Sequence, residues 1–432
     1  MAEKKNVNAQ PDQGYWPYVW RQFKRNKTAL ISMYVVVFLV VIAVFAPFLA
    51  NEKPLVCKYN GETYFPVFKD LAVGLGIGQF PAELQNVDWK NLDYDMVVFP
   101  PVPYLPMNQD NNNVHSKGPF DEQDIPSTRW KHWFGTDELG RDVLSGMIHG
   151  TRIAMTVGIV SMSIASIIGI ILGSLAGFFG DTGVQVSRVR FWGNIVFLFF
   201  AFFYAFGARS YEITDALAAS MGQGIIQLFI SLAIFVGVIV IGNMLCYPLK
   251  KVPGLGTQVN VPLDQIISRS IEILNSVPGL FLILLVISIV QKPNLYVIMG
   301  IIGLTGWTGI ARFIRAELLK VRSLEYIEAA NSLGYSNFRI LFRHAIPNAL
   351  SPVLISIAFG IASAILTEST LSFLGLGPAD TVTWGQLLSY ARQIPQAWWL
   401  AIFPGFAIFI TVTVFNLIGE GLTDAMDPRL KQ

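Results

Sequence analysis

The sequence predicts an all-α polytopic membrane protein. Of its 432 residues, 53% are hydrophobic and only 14% are charged, whereas soluble domains usually contain about 25% charged residues. Apolar runs of roughly 20 residues, the length that an α-helix needs to cross a bilayer, recur along the chain. The formal net charge of +2 gives no indication of a nucleic-acid partner.

Eight segments are predicted to cross the membrane. Six are long apolar runs, and two are shorter or flanked by polar residues but rich in Phe, Leu, Ile and Val. An even number of crossings places both termini on the same side. The clear runs are 29–50, 153–177, 225–247, 295–311, 349–372 and 399–421, and the weaker ones are 191–207 and 271–290.

Basic residues assign the orientation. Lys and Arg are frequent in residues 1–28 and in the loops that would share their side, as in cytoplasmic segments. The three short loops on the opposite side contain only Arg209, Lys292 and Arg392. Both termini are therefore expected in the cytoplasm.

Residues 51–132 are predicted to form a small, loop-rich extracytoplasmic domain. The segment is rich in Pro, Asn, Asp and Trp, with short strands expected around Tyr59 to Phe68. A disordered linker is the alternative, but the aromatic residues argue against it.

Three glycines repeat at every fourth position in the second predicted span: Gly169, Gly173 and Gly177. In an apolar helix this spacing allows another helix to approach closely. The stripe indicates helix packing rather than chemistry.

The most informative segment is the predicted cytoplasmic loop 312–348. Residues Glu328, Ala329 and Ala330 favour a short helix that Gly334 ends as a C-cap. A second amphipathic turn follows, containing Arg339 and Arg343, and Pro347 is expected to start the next membrane helix. From the residues alone, an interfacial amphipathic loop remains an equal alternative to a functional element.

This loop resembles a known family motif. The stretch EYIEAANSLGYSNFRILFRHAIPNAL is similar to the E-A-A loop of the permease subunits of bacterial ABC importers. Its Arg343, His344, Pro347 and Asn348 resemble the oligopeptide/dipeptide/nickel class, in particular the C-type permease of the pair. His344 and Ile346 depart from the general pattern.

Other segments support the same subclass. The stretch His132 to Arg152 and four C-terminal motifs, beginning with LSFLGLG at Leu371, resemble it in the same order. The resemblance covers roughly 21–50, 132–181 and 262–431. It implies a six-helix permease core. The stretch between Asp181 and Pro262 departs from that core and is expected to add an inserted pair of membrane helices. The expected segments are 1–28, 29–50, 51–132, 133–181, an insertion at 182–261, and 262–432 with the coupling loop 312–348.

The resemblance also implies partners. It predicts a homologous second permease subunit, two ABC ATPase subunits, an extracytoplasmic solute-binding protein and a peptide substrate, in a bacterial inner membrane. No G-x-x-x-x-G-K-[ST] motif is present, so ATP-Mg is expected on the partner ATPases, with no cofactor in this chain. Residues Glu328, Ala329, Ala330, Gly334, Arg339, Arg343 and Pro347 would couple to the ATPase.

No catalytic set and no metal site is predicted. The four histidines and the two cysteines, Cys57 and Cys246, show no metal-ligand spacing. Glu368, with Ser369, is a candidate for the translocation pathway because a carboxylate in an apolar run usually faces a cavity or a partner. The alternative is a carboxylate hydrated near the surface. Pro278 is predicted to kink its helix and is a further pathway candidate.

Three functions are considered. The first is ABC import of oligopeptides or dipeptides, with nickel chelates or another small solute as alternative cargo. The second is an ion-gradient-driven secondary transporter, for which inverted repeats and midplane ionisable groups are expected. The third is a membrane scaffold whose cytoplasmic loop is only a docking site.

Overall fold

The computed structural model describes residues 15–74, 78–81, 84–85, 87–219, 221–289, 294–378 and 380–426. Helices dominate this part of the chain, which confirms the predicted all-α class. The N-terminal half contains α1 (Tyr15–Arg25), α2 (Lys27–Leu49), β1 (Val56–Tyr59), β2 (Glu62–Tyr64), α3 (Pro66–Gly74), β3 (Met96–Val98), α4 (Val143–Ser174), β4 (Gln185–Ser187), α5 (Arg188–Phe202), α6 (Ser210–Ala219) and α7 (Met221–Leu249).

The remaining elements follow in the C-terminal part of the chain. They are β5 (Gln258–Asn260), α8 (Leu263–Ser276), α9 (Gly279–Ile289), α10 (Leu295–Val321), α11 (Glu325–Ser332), α12 (Asn337–Ile340), α13 (Ile346–Ala349), α14 (Ser351–Phe373), α15 (Trp384–Gln393) and α16 (Trp399–Met426). Three short π-helical turns connect with these helices. Leu175–Phe179 extends α4, Phe203–Gly207 extends α5, and Leu341–Ala345 joins α12 to α13.

Seven helical segments among the described residues are long and apolar enough to cross a membrane, and a bent pair forms an eighth candidate. The seven agree with seven of the eight predicted spans. They are Lys27–Leu49, Val143–Phe179, Arg188–Gly207, Gly222–Leu249, Leu295–Val321, Ser351–Phe373 and Trp399–Met426.

The predicted span 271–290 is not a straight helix, which corrects its boundaries. Helices α8 and α9 meet at an angle of 84°. Val277, between them, is extended with φ −99° and ψ 129°, because the residue before a proline is disfavoured in the helical region. The predicted kink at Pro278 is therefore confirmed. With 11 residues, α9 is about 16 Å long, too short to cross a bilayer alone.

Residues 51–132 include a three-stranded antiparallel sheet in the order β2-β1-β3, with Cys57 opposite Tyr64 and Val97. Buried Cys57, Leu84 and Trp89 form its core. The predicted strands are confirmed up to Tyr64, but Phe68 lies in α3. Pro66 begins that helix, where its fixed φ is suited and its missing N–H removes no hydrogen bond.

The chain divides into two compact units. Among the described residues, the first contains the chain up to Ile164, Ile283–Gly306 and everything from Leu354 onward. Its core includes two buried clusters, one around Val157, Ile298 and Leu371, and one around Ile365 and Trp384. The second unit contains Ala165–Leu282 and Trp307–Val353.

Within the second unit, the glycine stripe of α4 packs on α10. A Cβ on Gly173 would lie 2.5 Å from the carbonyl oxygen of Ala311, and one on Gly177 would lie 2.7 Å from that of Arg315. Real Cβ atoms do not approach so closely, so only glycine permits this backbone contact. The packing role predicted for the stripe is confirmed, and its partner is the helix that leads into the loop 312–348.

The inserted segment forms a helical hairpin. Strands β4 and β5 pair at its base, with Val186 opposite Val259. The Nδ2 of Asn243 on α7 donates to the Oδ1 of Asn194 on α5 at 2.7 Å. The two spans predicted in this insertion are confirmed as helices, and α6 lies between them.

Candidate functional site: the coupling loop

The loop 312–348 forms a helix–turn–helix element after α10. Helix α11 ends in a Schellman motif, in which Tyr335 N–H donates to Ala330 O at 3.2 Å and Gly334 N–H donates to Asn331 O at 2.9 Å. Gly334 has a φ of +77°, the left-handed conformation that glycine adopts without steric penalty. The predicted glycine C-cap is therefore confirmed.

The second helix begins at a cap that the sequence analysis missed. Ser336 has an extended backbone, and its Oγ accepts a hydrogen bond from Arg339 N–H at 3.4 Å. Serine followed by a short amphipathic stretch is a recognised helix-start signal. Ser336 is therefore the sequence feature from which a helix start at Asn337 could have been predicted.

One face of the element is buried and the other is not. Ile327, Ile340 and Leu341 are at most 2% exposed and anchor both helices to the chain. By contrast, Leu333, Phe338 and Phe342 are 72%, 64% and 62% exposed. The Phe338 and Phe342 rings are stacked with their centres 6.4 Å apart. Exposed apolar side chains beside charged residues are typical of an interaction surface.

The predicted coupling residues lie mostly on the exposed face. Glu328, Ala329, Gly334, Arg339 and Arg343 are exposed, whereas Ala330 is buried against the chain. The Arg339 guanidinium lies over the Tyr335 ring, 5.5 Å from its centre. No ion pair involves Glu328 or Arg343 within the described part of the chain.

Pro347 does not begin the membrane helix, which corrects the prediction. It is exposed and lies in the first turn of α13, while α14 begins at Ser351. The π-helical turn Leu341–Ala345 runs directly into α13, and Ala345 and Ile346 both have helical backbone angles. Pro347 therefore lies within a continuous helical stretch rather than at a free helix start. Asn348 Nδ2 donates to His344 O at 2.7 Å and to the Tyr326 hydroxyl at 3.3 Å, which ties α13 to α11.

An ion pair holds the base of the loop. Arg315 on α10 donates two hydrogen bonds to the Asp264 carboxylate on α8, one from Nε and one from Nη2 at 2.7 Å. Such two-point contacts fix orientation as well as charge. The sequence held no signal for this pair because 51 residues separate its partners.

The two groups of pathway candidates lie in different units. Glu368 is 1% exposed, and its carboxylate accepts hydrogen bonds from Ser372 Oγ at 2.6 Å and Ser369 Oγ at 3.4 Å. The carboxylate is therefore not hydrated at the surface of this chain, contrary to that alternative. Pro278 is exposed at the bend of the second unit.

The described residues contain no cluster of His, Cys, Asp or Glu that could hold a metal ion. The buried His132 instead makes hydrogen bonds to two carboxylates, Asp142 at 2.8 Å and Asp110 at 3.2 Å. This arrangement joins the residues before α4 to the segment 51–132.

Two family models match the chain. The model described as binding-protein-dependent transport system inner membrane component matches residues 254–432, and the N-terminal TM domain of oligopeptide transport permease C matches residues 14–66. The first match contains the whole coupling loop, and the second contains α2.

Relatives extend the likeness over nearly the whole chain. The peptidoglycan transport system permease protein YejE of Agrobacterium fabrum is 26% identical, over 95% of this chain and 92% of its own. The inner membrane ABC transporter permease protein YejE of Escherichia coli is 27% identical, over 95% and 96%.

The dipeptide transport system permease protein DppC of Bacillus subtilis is 25% identical, over 100% of this chain and 92% of its own. These alignments agree with the two family models and with the motif in the loop 312–348. Together, the two family models and these relatives support an ABC importer permease of the peptide type.

Proposed function

We propose that this chain is one permease subunit of an ATP-driven importer that carries oligopeptides or dipeptides across the bacterial inner membrane. A homologous second permease would complete the pathway, two ATPase subunits would bind ATP-Mg at the cytoplasmic face, and a solute-binding protein would deliver the peptide. The exposed face of the coupling loop, with Leu333, Phe338 and Phe342 uncovered, is the observation that carries this proposal.

The structure of the loop suits the transfer of a displacement from the ATPases to the membrane helices. Its two short helices are joined by a Schellman turn, and their buried faces anchor them to the second unit. The α10 helix leads into this loop from its contact with the glycine stripe of α4. A displacement imposed on the loop would therefore move α10 and the packed part of α4 together, because an interface at backbone distance resists sliding.

The distribution of basic residues supports the proposed orientation. Both termini and the loop would lie in the cytoplasm, where the ATPases would bind ATP. The extracytoplasmic segment 51–132 would then face the solute-binding protein, and its packed sheet offers that protein a defined surface. The names of the relatives, which include dipeptide, oligopeptide and glutathione transport, support a short peptide as the cargo.

Substitutions in the loop test the proposal. Gly334→Val would force a β-branched residue into the left-handed region, at a cost of about 1 kcal/mol or more, although a Cβ there meets no atom within 4 Å. Glu328→Lys would reverse a charge available to the ATPase. Both variants are expected to insert normally but to lose most ATPase co-purification and most peptide uptake in vesicles.

Two controls sharpen this experiment. Gly334→Asn, which tolerates the left-handed conformation, should retain more coupling than Gly334→Val. Glu272→Lys changes an exposed acid outside the loop and should leave ATPase association intact. Native uptake and ATPase recovery in both loop variants would rule out this loop as the coupling element.

We also propose that Glu368, Ser369 and Pro278 contribute to the translocation pathway. The buried Glu368 supports a role in an interior gate rather than at an open surface, since a carboxylate so deep needs hydrogen-bond partners. Glu368→Gln should change the rate of uptake without loss of the protein from the membrane. An unchanged rate would assign Glu368 to packing alone.

A further inference from the structure

The first unit contains a polar cavity of about 580 Å³ beside the start of α15. This volume lies in the range of small-ligand sites. Its walls come from the segment before α4, from the end of α14 with the loop that follows, and from α15. The lining includes Asp137, Glu138, Arg141, Ser372, Gln386 and Tyr390.

The single basic group of the lining is already engaged. Arg141 Nε donates to Asp137 Oδ2 at 2.7 Å, and its guanidinium lies over the Tyr390 ring, 5.0 Å from the ring centre. Burial lowers the pKa of Arg141, but Asp137 and Tyr390 raise it more, so the pKa lies above its usual value. This cation is therefore neutralised in place and is not free to attract an anionic ligand.

The negative charge that remains is Glu138. Its side chain is exposed and has no ion pair within the described residues. After Asp137 and Arg141 cancel, the lining has a net charge of about −1 from these three residues. The cavity therefore favours a cationic ligand.

One neutral lining residue has an unpaired acceptor atom. Gln386 Oε1 is buried and has no hydrogen-bond partner in the described part of the chain. The Ser372 hydroxyl donates its proton to buried Glu368 at 2.6 Å, which leaves only its lone pairs for a ligand. The Gln386 side chain is half-buried, so a turn of this side chain would present its unpaired oxygen to a ligand N–H.

We propose that this cavity binds the positively charged amino terminus of a peptide that enters the transporter. The peptide ammonium group would pair with Glu138, and an N–H of the same peptide end would donate to Gln386 Oε1. A metal ion is a poorer candidate because the described residues hold no group of three acidic or His/Cys side chains around one point. This inference rests on the proposed function and adds a substrate site to it.

Photolabelling of the assembled transporter in lipid nanodiscs, without the solute-binding protein, tests the site. The probe is photoleucyl-alanyl-alanine, whose diazirine lies on the amino-terminal residue, and labelled peptides are mapped by mass spectrometry. Label is expected on residues 137–141 or 386–393. Excess tri-alanine should suppress it, whereas N-acetyl-tri-alanine should not.

Variants test whether labelling depends on the contacts proposed for Glu138 and Gln386. Glu138→Gln should lower labelling about two- to fivefold, the size of effect of a solvent-exposed charge pair, and Gln386→Leu should also lower it. The control Asp215→Asn changes an acid of the inserted hairpin and should label as the native protein does. ATPase co-purification confirms that each complex is assembled.

The inference and the proposed function fail in different ways. Label confined to other segments, equal suppression by the acetylated peptide, or full labelling of Glu138→Gln would overturn the site, even if the complete system imports tri-alanine. Absence of peptide uptake by the complete native system would overturn the proposed function and this inference with it.

Discussion

Gly173 on α4 faces the carbonyl oxygen of Ala311 on α10 so closely that a Cβ would lie 2.5 Å from that oxygen. The same Cβ would lie 2.1 Å from Cγ2 of Ile314. Without a hydrophobic driving force between helices in lipid, close van der Waals contact of this kind holds membrane helices together. The contact joins α4 to the helix that precedes the coupling loop.

Gly173→Ala is therefore expected to destabilise the protein although it adds one methyl group. Forcing extra atoms into a packed interface typically costs about 1–3 kcal/mol. The melting temperature of the purified protein should fall. Gly309→Ala, on α10, is the matched control because nothing lies within 4 Å of its added Cβ. Equal melting temperatures for the two variants would contradict the packing described.

The Asp264–Arg315 ion pair predicts a coupled effect. Asp264→Asn and Arg315→Gln should each lower the melting temperature, while the double variant should lower it by less than the sum of the two. The side chains are 22% and 32% exposed, so a coupling energy of about 1 kcal/mol is expected. Strict additivity of the two effects would show that the pair contributes nothing.

A control pair for this double-mutant comparison lies on α8, the helix that contains Asp264. Arg269 and Glu272 form an ion pair at 2.6 Å, with side chains 77% and 60% exposed. Because solvent screens such pairs, Glu272→Gln should change the melting temperature little. If Glu272→Gln lowered the melting temperature as much as Asp264→Asn does, melting temperatures would not distinguish the partly buried ion pair from the exposed one.

The inserted hairpin predicts a topology that thiol labelling can measure. Asp215→Cys, on α6, should react with an impermeant maleimide from outside the cell. Lys251→Cys, beyond the other end of α7, should react only after the inner face is opened. Background labelling should be low, because Cys57 and Cys246 are buried and burial raises the pKa of the Cys57 thiol. The reverse labelling pattern would invert the assigned orientation.

The half-buried Asp110 predicts that the segment 51–132 is sensitive to acid. Burial raises its pKa, but hydrogen bonds from Asn113, His132 and the Asn112 N–H, with the nearby Lys90, lower it below its usual value. A carboxyl with a lowered pKa in the folded state stabilises fully above its unfolded pKa of about 3.9, and this stabilisation is lost as the pH falls through the folded value.

The melting temperature of the native protein should therefore exceed that of Asp110→Asn by a constant amount from pH 8 to about 5. Below about pH 4 the difference should shrink. Asp93→Asn, at an exposed site of the same segment, should show a smaller difference than Asp110→Asn. A difference that grows on acidification would give the wrong sign and would contradict the hydrogen-bonded carboxylate.

Local features of the sequence sufficed to predict several parts of this structure. The kink at Pro278 and the turn at Gly334 were predictable because each depends on the backbone limits of one residue type. The membrane spans were predictable because about 20 apolar residues are a requirement of the bilayer itself. The spacing of Gly169, Gly173 and Gly177 predicted a close helix contact but not its partner.

The sequence by itself thus determined the class of protein, the spans and the motif of the coupling loop. Tertiary structure decided which groups meet: Asp264 with Arg315, Glu368 with Ser372, and the glycine stripe with α10. It also placed Phe68 in a helix and turned Ala330 inward while leaving Glu328 exposed. These outcomes depend on side chains brought together from distant positions, and spacing along a chain does not specify such distances.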